Sequence, residues 1–197
     1  MTFAVRKLEP VTIAEFDDFL ELQGDESSLY ELLDGAIVMM TNPTRRHQKI
    51  VGNIGTRLNL AMSKRGCEVF FGEMRVQRDS DRSARDKPKP DVIVRCGPSD
   101  EKSDLLTYVD DANIVVEVLS PSTMDIDRGR KLEFYKSLKT LGHIVIVYQD
   151  QMRIEHYKRS GNRWTMKTLS KPDDVLDLTA VAFTMTVAEA YFDVSIA

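Results

Sequence analysis

Hydrophobic and polar positions along the chain alternate between a helical and an extended period, with turn signals between them. Thr12-Ile-Ala-Glu15 is a capping box at the head of the run IAEFDDFLEL, and it predicts a first helix. Two short apolar runs, Tyr30-Glu-Leu-Leu and Ala36-Ile-Val-Met-Met, flank Asp34-Gly35, the strongest hairpin signal in the chain. A second helix is expected to begin near Thr44 and end before Gly66. Cys67 to Gln77 and Asp91 to Arg95 read as strands with a charged loop between them. Ile114 to Leu119 is short, continuous and rich in β-branched residues, as expected of a central strand buried on both faces. Arg128 to Leu141 reads as a helix and Ile144 to Tyr148 as another core strand. Met152–Tyr157 and Trp164–Leu169 alternate in period two, the pattern of an antiparallel meander. A second capping box, Thr186-Val-Ala-Glu189, opens a short closing helix. The sum is an α/β chain: one domain over residues 1–197, with a mixed β-sheet flanked by helices.

Composition narrows this only a little. The chain of 197 residues is 42% hydrophobic and 29% charged, which suits one core. No apolar run approaches the roughly 20 residues that span a bilayer. The start, MTFAVRKLEP, has no continuous hydrophobic stretch after its charges, so a signal peptide is not expected and the expected location is cytoplasmic. Cys67 and Cys96 lack metal-ligand spacing and are expected to be two reduced, buried thiols. The net charge of −4 argues against coating nucleic acid by bulk electrostatics, so the distribution of charge matters more than its total.

Two helices carry polar groups in unexpected places. From Asn42 to Cys67 there is no acidic residue, while Arg45, Arg46, Lys49, Arg57, Lys64 and Arg65 are basic. Arg46, Lys49, Asn53, Arg57 and Lys64 fall on one stripe, opposite Val51, Ile54, Leu58 and Met62. That stripe is either a solvated face or a phosphate-facing surface. His47 projects toward the apolar side, as a core histidine or as a group at the edge of a cleft. In the later helix, Lys131, Tyr135 and Leu138 share a face. An inward lysine either snorkels to water or meets a carboxylate. The segment Arg75 to Lys89 holds six basic residues against three acids and leads directly into Pro90-Asp91. It reads as a solvated loop or as one that closes over a nucleic-acid backbone.

Two acids interrupt core strands: Asp91 at the head of Asp-Val-Ile-Val and Glu117 inside Ile-Val-Val-Glu-Val-Leu. A carboxylate in such a strand loses solvation, so it must be protonated, paired or bound to a metal. Acids on adjacent strands suit a hard divalent cation such as Mg²⁺.

Pro90-Asp91 followed by Glu117-x-Leu119 resembles the PD-(D/E)xK nuclease superfamily, with Leu119 standing where that pattern has its lysine. The ordered set Tyr30-Glu-Leu-Leu-Asp-Gly, Arg45-Arg-His47, Pro-Asp-Val-Ile-Val, Val-Glu-Val-Leu-Ser-Pro-Ser-Thr123 and Asp127…Lys131…Tyr135 resembles one branch, the Uma-type restriction endonuclease family. The likeness runs from about Thr12 to the final helix. It implies a restriction-endonuclease-like fold, with Asp91, Glu117 and Glu31 as metal ligands for Mg²⁺ or Mn²⁺. Lys131, on the helix, would replace the lysine missing at Leu119 and complete the catalytic set. His47, Tyr135, Arg46, Lys49 and Arg57 would contact or orient the substrate. The implied activity is metal-dependent endonucleolytic hydrolysis of DNA, with DNA favoured over RNA. A homodimer is the natural assembly for cutting both strands. The alternatives are a nucleic-acid-binding or interaction module that keeps the fold without the activity, and a purely structural ion-pair cluster.

Overall fold

The computed structural model of the protein describes residues 9–78, 81–98, 103–120 and 127–196. Helix α1 (Ile13–Gln23) is capped as expected: Thr12 Oγ1 accepts from Glu15 N at 3.3 Å, and Glu15 Oε2 accepts from Thr12 N at 2.8 Å. Strands β1 (Tyr30–Leu33) and β2 (Ala36–Met39) form the hairpin around Asp34 and Gly35, whose φ angles of 51° and 73° give the turn its primed geometry. A side chain at Gly35 would also collide with Pro10, whose Cβ would lie 2.4 Å away.

Helix α2 (Arg45–Met62) starts at Thr44, whose hydroxyl accepts from His47 N. It is followed by β3 (Glu68–Phe71), β4 (Arg75–Val76), β5 (Val92–Arg95), β6 (Tyr108–Val109) and β7 (Ala112–Leu119). A π-helical turn, Asp127–Lys131, runs into α3 (Leu132–Ser137). Then come β8 (His143–Tyr148), β9 (Ile154–Ser160), β10 (Arg163–Leu169), β11 (Val175–Leu178), β12 (Phe183–Thr186) and α4 (Val187–Ala190).

The central sheet has six strands in the order β10-β9-β8-β7-β5-β3, and within it β7 and β8 pair in parallel while the other neighbours are antiparallel. Alternation sorts its side chains into two cores. Val92, Val94, Val116, Val118 and Val145 pack against α2 and the β11–β12 ribbon. Ile93, Val115, Leu119, Ile144 and Ile146 pack against Leu132, Phe134 and Tyr135 of α3. His143 and His156, buried on neighbouring strands, hydrogen-bond at 2.9 Å, and burial pushes both down to about 4, so the pair is uncharged near neutrality.

The structure corrects four expectations. The helix expected over Arg128–Leu141 ends at Ser137, and Leu138 is extended. Arg159 holds this end from outside, donating to Lys136 O in the last turn at 3.0 Å and to Leu141 O beyond it at 2.7 Å. The strand expected over Cys67–Gln77 breaks at Gly72, where φ is 59°. The two cysteines are not free thiols. Glu68 pairs with Arg95 across β3 and β5, which brings Cys67 opposite Cys96 with their Cα atoms 4.2 Å apart, and they form a disulfide. The basic segment before Asp91 is solvated only in part: Arg78, Arg82 and Arg85 are exposed, while Arg75 and Lys87 are built into the fold. Arg75 is buried, donating to Ser27 O at 2.6 Å and Tyr30 O at 3.1 Å, and buried Lys87 holds Asp17 at 2.7 Å. Burial lowers the pKa of both cations. Among the described residues, no helix is long and apolar enough to cross a membrane.

Candidate active site

Val92 of β5 sits opposite Val116 of β7, so the same register sets Asp91 beside Glu117 where β5 begins. Gly72 N donates to Asp91 O at 2.9 Å, one residue beyond the last β3–β5 pair, and holds the backbone in line just before β5 begins. The Asp91 carboxylate turns toward α2. Its Oδ2 accepts from Val118 N at 2.7 Å and lies 3.3 Å from His47 Nε2. Glu117 keeps the strand alternation, so it faces the α3 side with Val115 and Leu119.

Glu117 is 3% exposed, a position that an ionised carboxylate can hold only with partners. Lys131 Nζ lies 3.3 Å from its Oε1 and 3.5 Å from its Oε2, and Tyr135 Oη donates to Oε1 at 2.5 Å. The spacing of four residues puts Lys131 and Tyr135 on one side of the helix, aimed at the same acid. Lys131 Nζ also lies 3.0 Å from Glu31 Oε2. Glu31 comes from β1, is 2% exposed, and accepts from Lys89 N at 3.2 Å. One ammonium therefore bridges carboxylates from two different sheets. The inward lysine meets acids rather than snorkelling to water.

Glu31, His47, Asp91, Glu117 and Lys131 all line one cavity of about 460 Å³, whose walls include Thr44, Pro43 and Ser120. Tyr135 stands behind Glu117. His47 is buried, and among the described residues its Nδ1 has no hydrogen-bond partner. It is therefore a cleft histidine held through Asp91.

The basic stripe of α2 goes elsewhere. Lys49 Nζ holds Asp193 Oδ2 at 2.6 Å, Arg57 lies 3.7 Å from Glu189, and Asn53 donates to Phe192 O at 2.8 Å. The carboxylates missing from this stretch of sequence arrive from the far end of the chain. Lys49 and Arg57 thus face the C-terminal segment, outside the cavity. Arg46 donates to Gln149 O at 3.3 Å, at the margin of the site.

Sequence reasoning missed three groups here. Lys89 Nζ donates to Glu73 Oε2 at 3.2 Å, both line the cavity, and burial lowers the Lys89 pKa. The signal was present in Lys87-Pro-Lys-Pro-Asp91, where a second cation stands two places before the acid. Gln149, buried, joins Thr44 Oγ1 at 2.6 Å to Leu119 O at 3.0 Å and so backs the cavity residue Thr44. Nothing local in the sequence marks it.

Among the described residues, no three His, Cys, Asp or Glu side chains are grouped closely enough to hold a metal ion jointly. The acids are nevertheless hard oxygen donors on one cavity. The pattern that defines the Uma2 family, described as "Putative restriction endonuclease", matches residues 16–188. The chain belongs to the Uma2 family. That Uma2 match takes in every cavity residue discussed above. Two curated relatives come from Synechocystis sp. (strain ATCC 27184 / PCC 6803 / Kazusa). "Uncharacterized protein slr1290" is 26% identical over 176 residues, covering 89% of this chain and 90% of the relative. "Uncharacterized protein sll1609" is 25% identical over 153 residues, covering 77% and 85%. A solved structure, described as a putative nuclease belonging to DUF820 from Anabaena variabilis ATCC 29413, superposes with a TM-score of 0.72 at 17% identity. It covers 92% of this chain and 98% of its own, and at that identity the likeness establishes the fold. Uma2 membership supports a nuclease-type function in general.

Proposed function

We propose that the chain is a divalent-metal-dependent endonuclease that hydrolyses phosphodiester bonds in DNA. The observation that carries this reading is the meeting of Asp91, Glu117 and Lys131, from three separate elements, at one cavity that Glu31 also lines. The donor set fits Mg²⁺ or Mn²⁺. Mg²⁺ keeps several waters and is held by one or two carboxylates rather than by a closed protein cage, so Asp91 and Glu117 suffice without a third protein ligand. Among the described residues, both contacts of Asp91 fall on Oδ2, which leaves Oδ1 for the ion. Glu31 would be the further acid. When bound, the ion supplies Lewis-acid polarisation of the scissile phosphate.

The remaining chemistry belongs to the chain. Val118 N and His47 fix the Asp91 carboxylate, and Tyr135 fixes that of Glu117, so neither reorganises when the substrate arrives. Lys131, whose Nζ lies between Glu31 and Glu117 at the cavity wall, would orient the attacking water and offset charge on the phosphate oxygens. A second reading, a binding module without turnover, draws on one feature: Lys131 is held between two carboxylates rather than standing free over the cavity.

Glu117→Gln decides between the two. Plasmid and oligonucleotide cleavage with Mg²⁺ or Mn²⁺ should fall by about 10³-fold or more, the loss of several kcal/mol of charge stabilisation. Cleavage at the wild-type rate by this variant overturns the catalytic assignment. Wild-type protein that binds DNA and never cuts it establishes the binding module.

A further inference from the structure

Glu117 pairs with Ile146 of β8, and Ile146 pairs with Glu155 of β9, so the two glutamates stand in one row across the sheet. Glu155 is fully buried and surrounded by donors. Tyr148 Oη donates at 2.9 Å and Tyr157 Oη at 3.1 Å, while Arg153 lies at 2.7 Å and Arg128 at 3.3 Å. Both arginines reach the same oxygen, Oε1. Two guanidiniums against one carboxylate leave an excess positive charge, and the arginine side chains remain 45% and 35% exposed.

The pair is tied to the cavity on two sides. Arg128 belongs to the π-helical turn that ends at Lys131. Arg153 ends the turn that begins at Gln149, whose side chain bonds cavity residue Thr44 and the carbonyl of Leu119, next to cavity residue Ser120. Tyr191 pins that turn, donating from Oη to Tyr148 O at 2.7 Å and accepting from Arg153 N at 3.1 Å. Two strand spacings separate the row positions of Glu117 and Glu155, about 10 Å. At about 3.4 Å of rise per nucleotide, this is about three nucleotides along one strand.

Resting on the nuclease reading above, we infer that Arg128 and Arg153 form a phosphate clamp for the DNA strand entering the cavity, with Glu155 as its positioning residue. The buried carboxylate anchors each guanidinium through one amino group, and Arg153 also lies 4.8 Å over the Tyr148 ring. Their outer donors then face the backbone already oriented, which planar, multidentate guanidinium groups do better than ammonium groups. The contact reads phosphate, so it adds affinity and register without base preference.

The test is fluorescence anisotropy with a labelled mixed-sequence DNA duplex in EDTA, beside turnover in Mg²⁺. Arg128→Gln with Arg153→Gln should weaken binding at low salt. The slope of log K against log salt should become shallower by about 2, near 0.9 for each phosphate that is no longer neutralised. In turnover, the loss should fall on KM rather than on kcat. Arg153→Lys, which keeps the charge, should retain the wild-type salt slope. If the double variant does not fold, adding Glu155→Gln removes the buried acid together with its two cations, and the same readouts apply. Unchanged affinity and salt slope in a folded variant overturn the clamp, as does wild-type protein that binds no DNA. Arginine-dependent binding without any cleavage supports the clamp and overturns the catalytic reading, so the two failures are distinguishable.

Discussion

Glu117 and Glu155 occupy the same face and the same row of one sheet, yet their surroundings are built on different plans. Glu155 is closed in. Two tyrosines and two arginines, from four positions in the chain, leave it no direction without a donor. Glu117 has a tyrosine on one oxygen and shares one lysine with Glu31, and it borders a cavity. An acid held by planar guanidiniums and rigid phenols is a fixture. An acid whose counter-charge sits on four methylenes can exchange that partner for a cation or a phosphate oxygen. The contrast teaches that burial alone does not mark a reactive carboxylate. On the nuclease reading, what sets Glu117 apart is burial together with a partner on a flexible side chain and a border on the cavity.

The largest test of this contrast is Lys131→Ala. Turnover should fall by roughly 10²- to 10⁴-fold, the range for a positioned proton-transfer or charge-stabilising group. Calorimetry should show divalent-ion affinity unchanged or raised, because the competing ammonium has gone. Normal turnover in that variant would remove the lysine from the mechanism. At the closed centre the corresponding change acts on folding. Glu155→Ala leaves two partly buried guanidiniums without their acid and should cost about 3–5 kcal/mol in urea denaturation. A cost below about 1 kcal/mol, the level of a surface ion pair, would show that Glu155 anchors nothing. The smallest effects separate the phenols. Tyr135→Phe removes a hydrogen bond to a carboxylate, worth about 1.5–3 kcal/mol, and should lower cleavage because Glu117 loses its orientation. Tyr148→Phe should change stability by about 1 kcal/mol and leave cleavage alone, since Glu155 keeps three other donors. Equal losses of cleavage in the two variants would erase the distinction between the centres.

Much of this arrangement could be read from the chain because its signals were local. Both capping boxes, the Asp34-Gly35 turn, the β-branched run of β7 and the alternation of β9 and β10 each depend on residues a few places apart, and each formed. Asp91 and Glu117 stood out as acids in apolar strands, and Lys131 as a cation on an inward face. What stayed hidden was long-range. The disulfide depends on the register of β3 against β5, and the end of α3 depends on Arg159 arriving from β9. Glu155 lay in a period-two stretch where a polar residue ordinarily faces water. Only the convergence of Arg128, Tyr148 and Arg153 keeps it dry. The α2 stripe misled for the same reason, because Glu189 and Asp193 are more than a hundred positions away.

At Leu119 the chain departs from the nuclease pattern, and the lysine beside Glu117 is Lys131. Leu119 points to the same side of β7 as Glu117, but it is 1% exposed and stands beside Tyr148 in a hydrocarbon layer. A lysine there would have to bury its charge among aliphatic groups, whereas the helix above delivers one to the cavity rim. The strand is thereby released to serve the core alone. A pattern search that insists on lysine two places after the glutamate passes over such a chain, although Lys131 Nζ stands 3.3 Å from Glu117 Oε1.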